Sequence, residues 1–332
     1  MAKKENVVKI VCLGSHGYIG SILVPQLLAE GHEVVALDRL IYNNETALAQ
    51  CCANPRFEQY RVDARDLDAV RPHLKDADVI IPLAGLVGVP AGNRDPIDSE
   101  LLNLKAQLGL FNLLSFEQLV IAPTTESSYG SNAEVCTEET PLNPLSIYAQ
   151  HKVYVEQALM NRGNSISLRL ATVFGMSPRM RLDLLCNDFV WRALKDRAVV
   201  IFEGQYRRTC VHVRDVARAF LHVLKVADPQ GIPFRIEDSG DVTGVEKVKL
   251  GVYNVGSVTM TKLSLCEAIK RQVPNFTYVE APFDIDPDKR NYEVSMDKIA
   301  ATGFRAEWTL DMGIAELLKG YRCLGIGPHR NA

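Results

Sequence analysis

The sequence predicts an α/β fold: a doubly wound parallel sheet with helices on both faces, followed by a smaller C-terminal α/β lobe. Short apolar runs rich in β-branched residues alternate with helical patterns over roughly the first half of the chain. A glycine-rich turn follows the first run directly, and an aspartate closes the second. A strand, a phosphate-cradling turn, a helix and a second strand have this order.

The elements follow one another without linkers or internal repeats. Residues 7–13 form an apolar strand that runs into Gly14-Ser15-His16-Gly17-Tyr18-Ile19-Gly20. Glycine allows the tight turn and the close approach of backbone to a pyrophosphate, and the helix that follows turns its N-terminus toward the negative charge. That helix spans residues 21–30, with Ile22, Leu23, Leu27 and Leu28 at core-facing spacing. Residues 33–37 form the second strand and end in Asp38, 18 residues after Gly20, where a carboxylate can accept both hydroxyls of a ribose. Arg39, directly after it, brings a cation to the same place. Residues 57–62 and 79–83 are the third and fourth strands, followed by Asp63-Ala64 and Ala84-Gly85. A helix over residues 96–115 carries Asn103, and residues 119–122 are the fifth strand. The run over residues 167–175 reads as a sixth strand leaving the sheet. Residues 227–250 read as a polar surface insertion with turn signals, before a further strand at 251–256.

Tyr148 and Lys152 lie four residues apart in a helical stretch, so phenol and ammonium stack on one face, a turn apart. A cation there favours the phenolate and lets the tyrosine exchange a proton with a substrate hydroxyl. Moving a phenol from a pKa of about 10 to about 7 takes roughly 4 kcal/mol of differential stabilisation. One lysine seldom supplies this alone.

Composition narrows the classes. A chain of 332 residues can bury a large core around one sheet plus a smaller lobe. A net charge of -3 makes no electrostatic case for nucleic acid or a membrane surface. No apolar run approaches the roughly 18 residues that a membrane helix needs. Eight scattered cysteines without a Cys-x-x-Cys pair argue against zinc and against a disulfide framework, and suit a reducing cytoplasm.

Gly14-x-x-Gly17-x-x-Gly20, Asp38, Asp63, Asn103, the Thr124/Thr125 pair, Tyr148 and Lys152, in this order, resemble an extended short-chain dehydrogenase/reductase. The branch resembled is that of the nucleotide-sugar epimerases, dehydratases and dehydrogenases, and the similarity covers about residues 7 to 320. The resemblance implies a Rossmann domain over 1–175 that binds NAD (NAD+/NADH), with segments near 209–228 and 251–258 returning to it. It further implies a nucleotide-sugar lobe over 176–323 and a loosely ordered tail over 324–332. Gly14, His16, Gly17, Tyr18, Ile19 and Gly20 would hold the pyrophosphate. Asp38 and Arg39 would lie at the ribose, with Asp38 favouring NAD over NADP. Asp63 and Ala64 would flank the adenine; Leu83, Ala84 and Gly85 would line the middle of the cofactor, and Asn103 would lie near the nicotinamide. Tyr148, Lys152 and Thr125 are the implied catalytic residues. Thr124, Glu126, Thr172, Arg179, Asn187, Arg208 and Arg290 complete the implied substrate site, with Arg208 and Arg290 as diphosphate ligands.

The implied reaction is oxidation of a sugar C4 hydroxyl on a nucleoside-diphosphate sugar, GDP- or UDP-linked. Sugar 4,6-dehydratases carry Asp-Glu after the catalytic threonine, whereas this chain has Glu126-Ser127, so one of two needed carboxylates is absent. Release of the 4-keto sugar, as a 4-dehydrogenase, is the favoured reading; return of the hydride with inversion, as a UDP-glucose/UDP-hexose type 4-epimerase, is the alternative. Runs at 80–84, 177–185 and 286–290 are similar to enzymes that oxidise C4 of GDP-manno-heptoses for bacterial surface polysaccharides, a route that needs a hydride acceptor such as a small keto acid. A non-catalytic sensor is a further alternative, against which the retained Tyr148 and Lys152 speak. Homodimers are usual in this family, built by pairing two helices from each subunit.

Overall fold

The computed structural model describes residues 7–88, 94–226, 249–281 and 291–324. Its main sheet has seven strands: β1 (Lys9–Leu13), β2 (Glu33–Asp38), β3 (Phe57–Arg61), β4 (Val79–Pro82), β5 (Leu119–Thr125), β7 (Ser165–Leu170) and β11 (Gly251–Val255). The smaller strands between and beyond them are β6 (Ser131–Cys136), β8 (Thr172–Phe174), β9 (Ala198–Ile201), β10 (Arg207–His212), β12 (Val258–Thr261), β13 (Thr277–Glu280) and β14 (Asn291–Val294). The order across the main sheet is β11-β7-β5-β4-β1-β2-β3, and every pairing is parallel.

Helices cover both faces because the strands are apolar on both. Ile10, Cys12, Val34, Ala36, Val79 and Ile81 enter the core under the helix Gly20–Ala29. Their alternates Val11, Leu13, Val35, Leu37 and Ile80 pack beneath the helices Leu67–Leu74, Ala106–Leu113 and Ile147–Arg162. Between β1 and β4 the chain order reverses: β2 and β3 lie to one side, and β4, β5, β7 and β11 to the other. Such a reversal opens a crevice at the carboxyl ends of the strands.

The segment near 251–258 returns to the main sheet as expected, where residues 251–255 pair with β7 as the seventh strand. The other returning segment behaves differently. β10 joins a separate three-stranded sheet with β8 and β12, and only the helix Val213–Val226 comes back, packing on Gly20–Ala29. The helix expected over 96–115 is interrupted by a π turn at Leu101–Lys105, which contains Asn103. Most of the 227–250 insertion, Arg290 and nearly all of the 324–332 tail lie outside the described residues. Among the described residues, no helix is long and apolar enough to cross a membrane.

Candidate active site

A cavity of about 530 Å³ opens at the carboxyl ends of β1, β4 and β5 and is roofed by the segment that follows β8. Its floor is the glycine turn. Gly14 adopts φ +77°, and a Cβ there would lie 2.6 Å from the Ala84 nitrogen at the end of β4. A Cβ on Gly20 would lie 2.4 Å from the Ser15 carbonyl oxygen. No side chain fits at either point, so the backbone of the turn can lie directly against a ligand. Gly17, Tyr18, Ile19 and Gly20, at the start of the Gly20–Ala29 helix, all line the cavity, an arrangement that suits a diphosphate.

At the outer end of β2, Asp38 ties the turn to the strand. Its carboxylate accepts from the backbone N–H of His16 (3.0 Å) and of Leu40 (2.8 Å). The His16 imidazole is buried and faces away from the cavity, joined to Gln59 (3.0 Å) and the Ser15 hydroxyl (3.0 Å), so only the backbone of this residue serves the turn. Arg39 is held by Asp63 at 3.3 Å. A side-chain hydrogen bond from Arg65 keeps the Asp63 carboxyl below the usual carboxylate range. Asp66 caps the helix Leu67–Leu74 by accepting from Ala69 N–H.

Behind the turn, Leu83 and Gly85 line the cavity, and Ala84 is held through its carbonyl by Gln107 (3.0 Å). Asn103 is fully buried and clamps the backbone of Leu86, accepting from its N–H (2.8 Å) and donating to its carbonyl (2.9 Å). It shapes the cavity wall without lining it. The π turn brings its amide to that position.

A further wall of the cavity comes from β5 and the helix Ile147–Arg162. Ser146 caps that helix by accepting from Ala149 N–H (3.2 Å), which starts it one residue before Tyr148. Tyr148 and Lys152 then both reach the cavity, together with Thr124, Thr125 and Ser127. Lys152 is 5% exposed and donates to the Pro123 carbonyl at 3.2 Å; burial pushes its ammonium down to about 8. The Thr125 hydroxyl donates to Ser127 Oγ (2.9 Å) and accepts from Ser127 N–H (3.1 Å), which fixes its rotamer at the strand end.

The opposite wall carries two arginines. The Arg179 guanidinium lies 3.9 Å above the Tyr42 ring, and burial lowers its pKa. Arg181 pairs with Asp183 at 2.5 Å and donates to the Val87 carbonyl at 3.1 Å, joining the two sides of the cavity mouth. Arg179 was among the expected substrate residues; Arg181, Ser127 and Tyr42 were not. Arg181 had a signal, since residues two apart in an extended segment project to one side. Tyr42 had none: it enters through a turn in which Leu40 and Asn43 both take positive φ.

Three expected substrate residues lie away from the cavity lining. Asn187 is fully buried, accepting from Gly175 N–H (3.0 Å) and donating to the Tyr18 hydroxyl (3.1 Å) and the Arg181 carbonyl (2.9 Å); it braces the walls. Arg208 is buried in β10 and donates to the Arg207 carbonyl at 3.1 Å. Glu126 is fully buried. Thr172 does line the cavity.

Comparison with known proteins gives a consistent result. The model of the NAD dependent epimerase/dehydratase family matches residues 10–236. UDP-glucuronic acid decarboxylase 1 of Arabidopsis thaliana is 26% identical over 95% of this chain and 70% of its own length. A putative UDP-glucose 4-epimerase of Methanocaldococcus jannaschii is 29% identical over 65% of this chain and 73% of its own length. Among solved structures, UDP-glucuronic acid 4-epimerase from Bacillus cereus, in complex with UDP-glucuronic acid and NAD, superposes with a TM-score of 0.78 at 21% identity, over 95% of this chain and 99% of that one. The Thermus thermophilus UDP-glucose 4-epimerase complex with NAD gives 0.77 at 24% identity, over 95% and 99%.

Proposed function

The chain belongs to the NAD dependent epimerase/dehydratase family, and on that premise we propose that it oxidises the C4 hydroxyl of a nucleoside-diphosphate sugar and returns the hydride with inversion, as a 4-epimerase. The observation that carries the reading is the meeting of Tyr148, Lys152 and Thr125 with the glycine turn in one cavity. Bound NAD+ supplies the hydride acceptor. Gly14, Gly17 and Gly20 hold the diphosphate, and Asp38 receives the ribose hydroxyls. Arg39 is paired with Asp63, which lessens its appeal to a 2′-phosphate and supports NAD over NADP. Tyr148 removes the proton from the C4 hydroxyl, Lys152 stabilises the phenolate, and Thr125 orients the reacting oxygen. The cavity-lining residues given above include three cations (Lys152, Arg179 and Arg181) and no carboxylate, which suits a doubly anionic nucleotide sugar. In this reading residues 1–175 with 251–255 hold the cofactor, and the remainder up to about residue 323 shapes the sugar site.

A second reading is favoured by the run at 177–185 and its similarity to enzymes acting on GDP-manno-heptose: the 4-keto sugar leaves, and a small keto acid reoxidises the cofactor. Incubation with UDP-glucose, UDP-glucuronic acid, GDP-mannose and GDP-manno-heptose, with products followed by NMR, separates the two. A C4-inverted sugar without free ketone supports epimerisation; accumulation of a 4-keto sugar with stoichiometric NADH supports the second. Neither product from any of the four sinks both. We also propose a homodimer formed through the helices Pro96–Glu100 and Ile147–Arg162, which pack together and leave Ile97, Ile147 and Tyr154 exposed.

A further inference from the structure

Along the helix Ile147–Arg162, Tyr148 and Lys152 are followed at the same four-residue interval by Glu156, so all three share a face. Tyr148 and Lys152 line the cavity, while Glu156 lies one turn deeper and is 4% exposed. One carboxylate oxygen of Glu156 accepts from the hydroxyls of Thr124 (2.9 Å) and Ser167 (2.8 Å) and from Arg169 Nε (3.1 Å). The other accepts from Arg169 Nη2 at 2.6 Å. Arg169, equally buried, also donates to the Tyr129 hydroxyl (2.8 Å), which in turn donates to Asn254 (2.7 Å).

Stability is a poor account of this cluster. Desolvating two charges costs about what their attraction returns, and apolar residues of the same volume would pack as well. Charge-assisted hydrogen bonds do have direction, which apolar packing lacks. Thr124 directly precedes Thr125, and its hydroxyl is already committed inward to Glu156. The carboxylate therefore bolts the strand end that carries Thr125 to the helix face that carries Tyr148 and Lys152.

We propose that Glu156, held by Arg169, is a positioning residue that sets the register between Thr125 and the Tyr148/Lys152 pair. This rests on the reading of those three as the reacting groups. It also reassigns Thr124, whose hydroxyl serves the register and does not bind the sugar.

The test compares Thr124→Val, which removes one hydroxyl at constant shape, with Glu156→Gln and Tyr148→Phe. The probe is whichever of UDP-glucose, UDP-glucuronic acid, GDP-mannose or GDP-manno-heptose the wild-type chain turns over, used also with deuterium at C4. Misplacement of reacting groups by a fraction of an ångström to an ångström costs on the order of 10- to 100-fold in rate. Thr124→Val should lower kcat about tenfold and Glu156→Gln about a hundredfold. KM and NADH affinity, followed by cofactor fluorescence, should change less than about twofold, and the isotope effect on kcat should rise as the hydride step becomes limiting. Thr124→Val should melt within a few degrees of wild type, so its kinetics stand even where Glu156→Gln folds poorly. A raised KM at unchanged kcat would make Thr124 a substrate ligand and overturn the proposal. Unchanged kinetics in Thr124→Val, alongside an inactive Tyr148→Phe, would overturn it while leaving the function intact. A fully active Tyr148→Phe, or no turnover of any probe by the wild type, would remove the underlying reading and the proposal with it.

Discussion

Lys152 should make the cofactor-free protein less stable than it could be, and substitution to methionine should reveal the cost. The ammonium is buried, and its pKa falls from 10.5 to about 8 because burial disfavours the charged form. The sign follows from proton counts. Below about pH 8 both folded and unfolded chains carry the proton, and the folded state bears the full desolvation cost. Between pH 8 and 10.5 the unfolded chain binds more proton than the folded one, so stability rises with pH across that window. That displacement corresponds to roughly 3 kcal/mol at pH 7. Lys152→Met removes that cost but loses the charge-assisted hydrogen bond to the Pro123 carbonyl, worth about 2 kcal/mol. The variant should therefore be more stable at pH 7 by about 1 kcal/mol, an advantage that shrinks by about 1 kcal/mol at pH 9. Groups common to both proteins cancel in the difference. Urea unfolding at the two pH values measures it, and activity should fall at least a hundredfold in parallel. A stability difference that does not change between pH 7 and pH 9 would refute the reasoning.

Gly14→Ala places a Cβ within 2.6 Å of the Ala84 backbone at a positive φ, and should cost about 2 kcal/mol or more and abolish NADH binding in a fluorescence titration. Thr125→Val should lower kcat by about 100-fold with little change in cofactor affinity, whereas Ser127→Ala, which only loosens the Thr125 rotamer, should cost about tenfold; steady-state kinetics rank the two. Arg181→Met removes the bridge from Asp183 to the Val87 carbonyl and should raise KM about tenfold, read against a wild-type melting curve. Ile97→Glu combined with Tyr154→Glu, on exposed positions, should leave the melting temperature within a few degrees and convert a dimer to monomer in sedimentation.

The glycine turn, Asp38 and the Tyr148/Lys152 pair were legible in the chain because each depends on contacts within about thirty residues. A turn needs its glycines, a helix brings residues four apart together, and a βαβ unit fixes the distance from Gly20 to Asp38. The parallel sheet was legible for the same local reason, apart from its seventh strand. Residues 251–255 reach β7 only after a long excursion, and no local pattern records that pairing, which the family resemblance alone implied.

The substrate side was less legible. Arginine, asparagine and glutamate carry the same chemistry wherever they point, and pointing is decided by neighbours far away in sequence. Asn187 is consumed by Gly175, Tyr18 and the Arg181 carbonyl, and Arg208 is buried within a sheet that forms only when β8, β10 and β12 meet. Arg181 and Tyr42 reach the cavity because two loops on opposite sides of the crevice close toward each other.

By itself, the sequence determined the class of sheet, the glycine turn and the placing of Tyr148 and Lys152 on one helix face, all set by short-range geometry. Tertiary structure alone decided that Glu156 and Arg169, separated by a turn and a strand, would meet beneath that pair, and that Thr124 would face them. The physical reason is burial: a charge removed from water must find its partner nearby in space, and the fold chooses which residue that is.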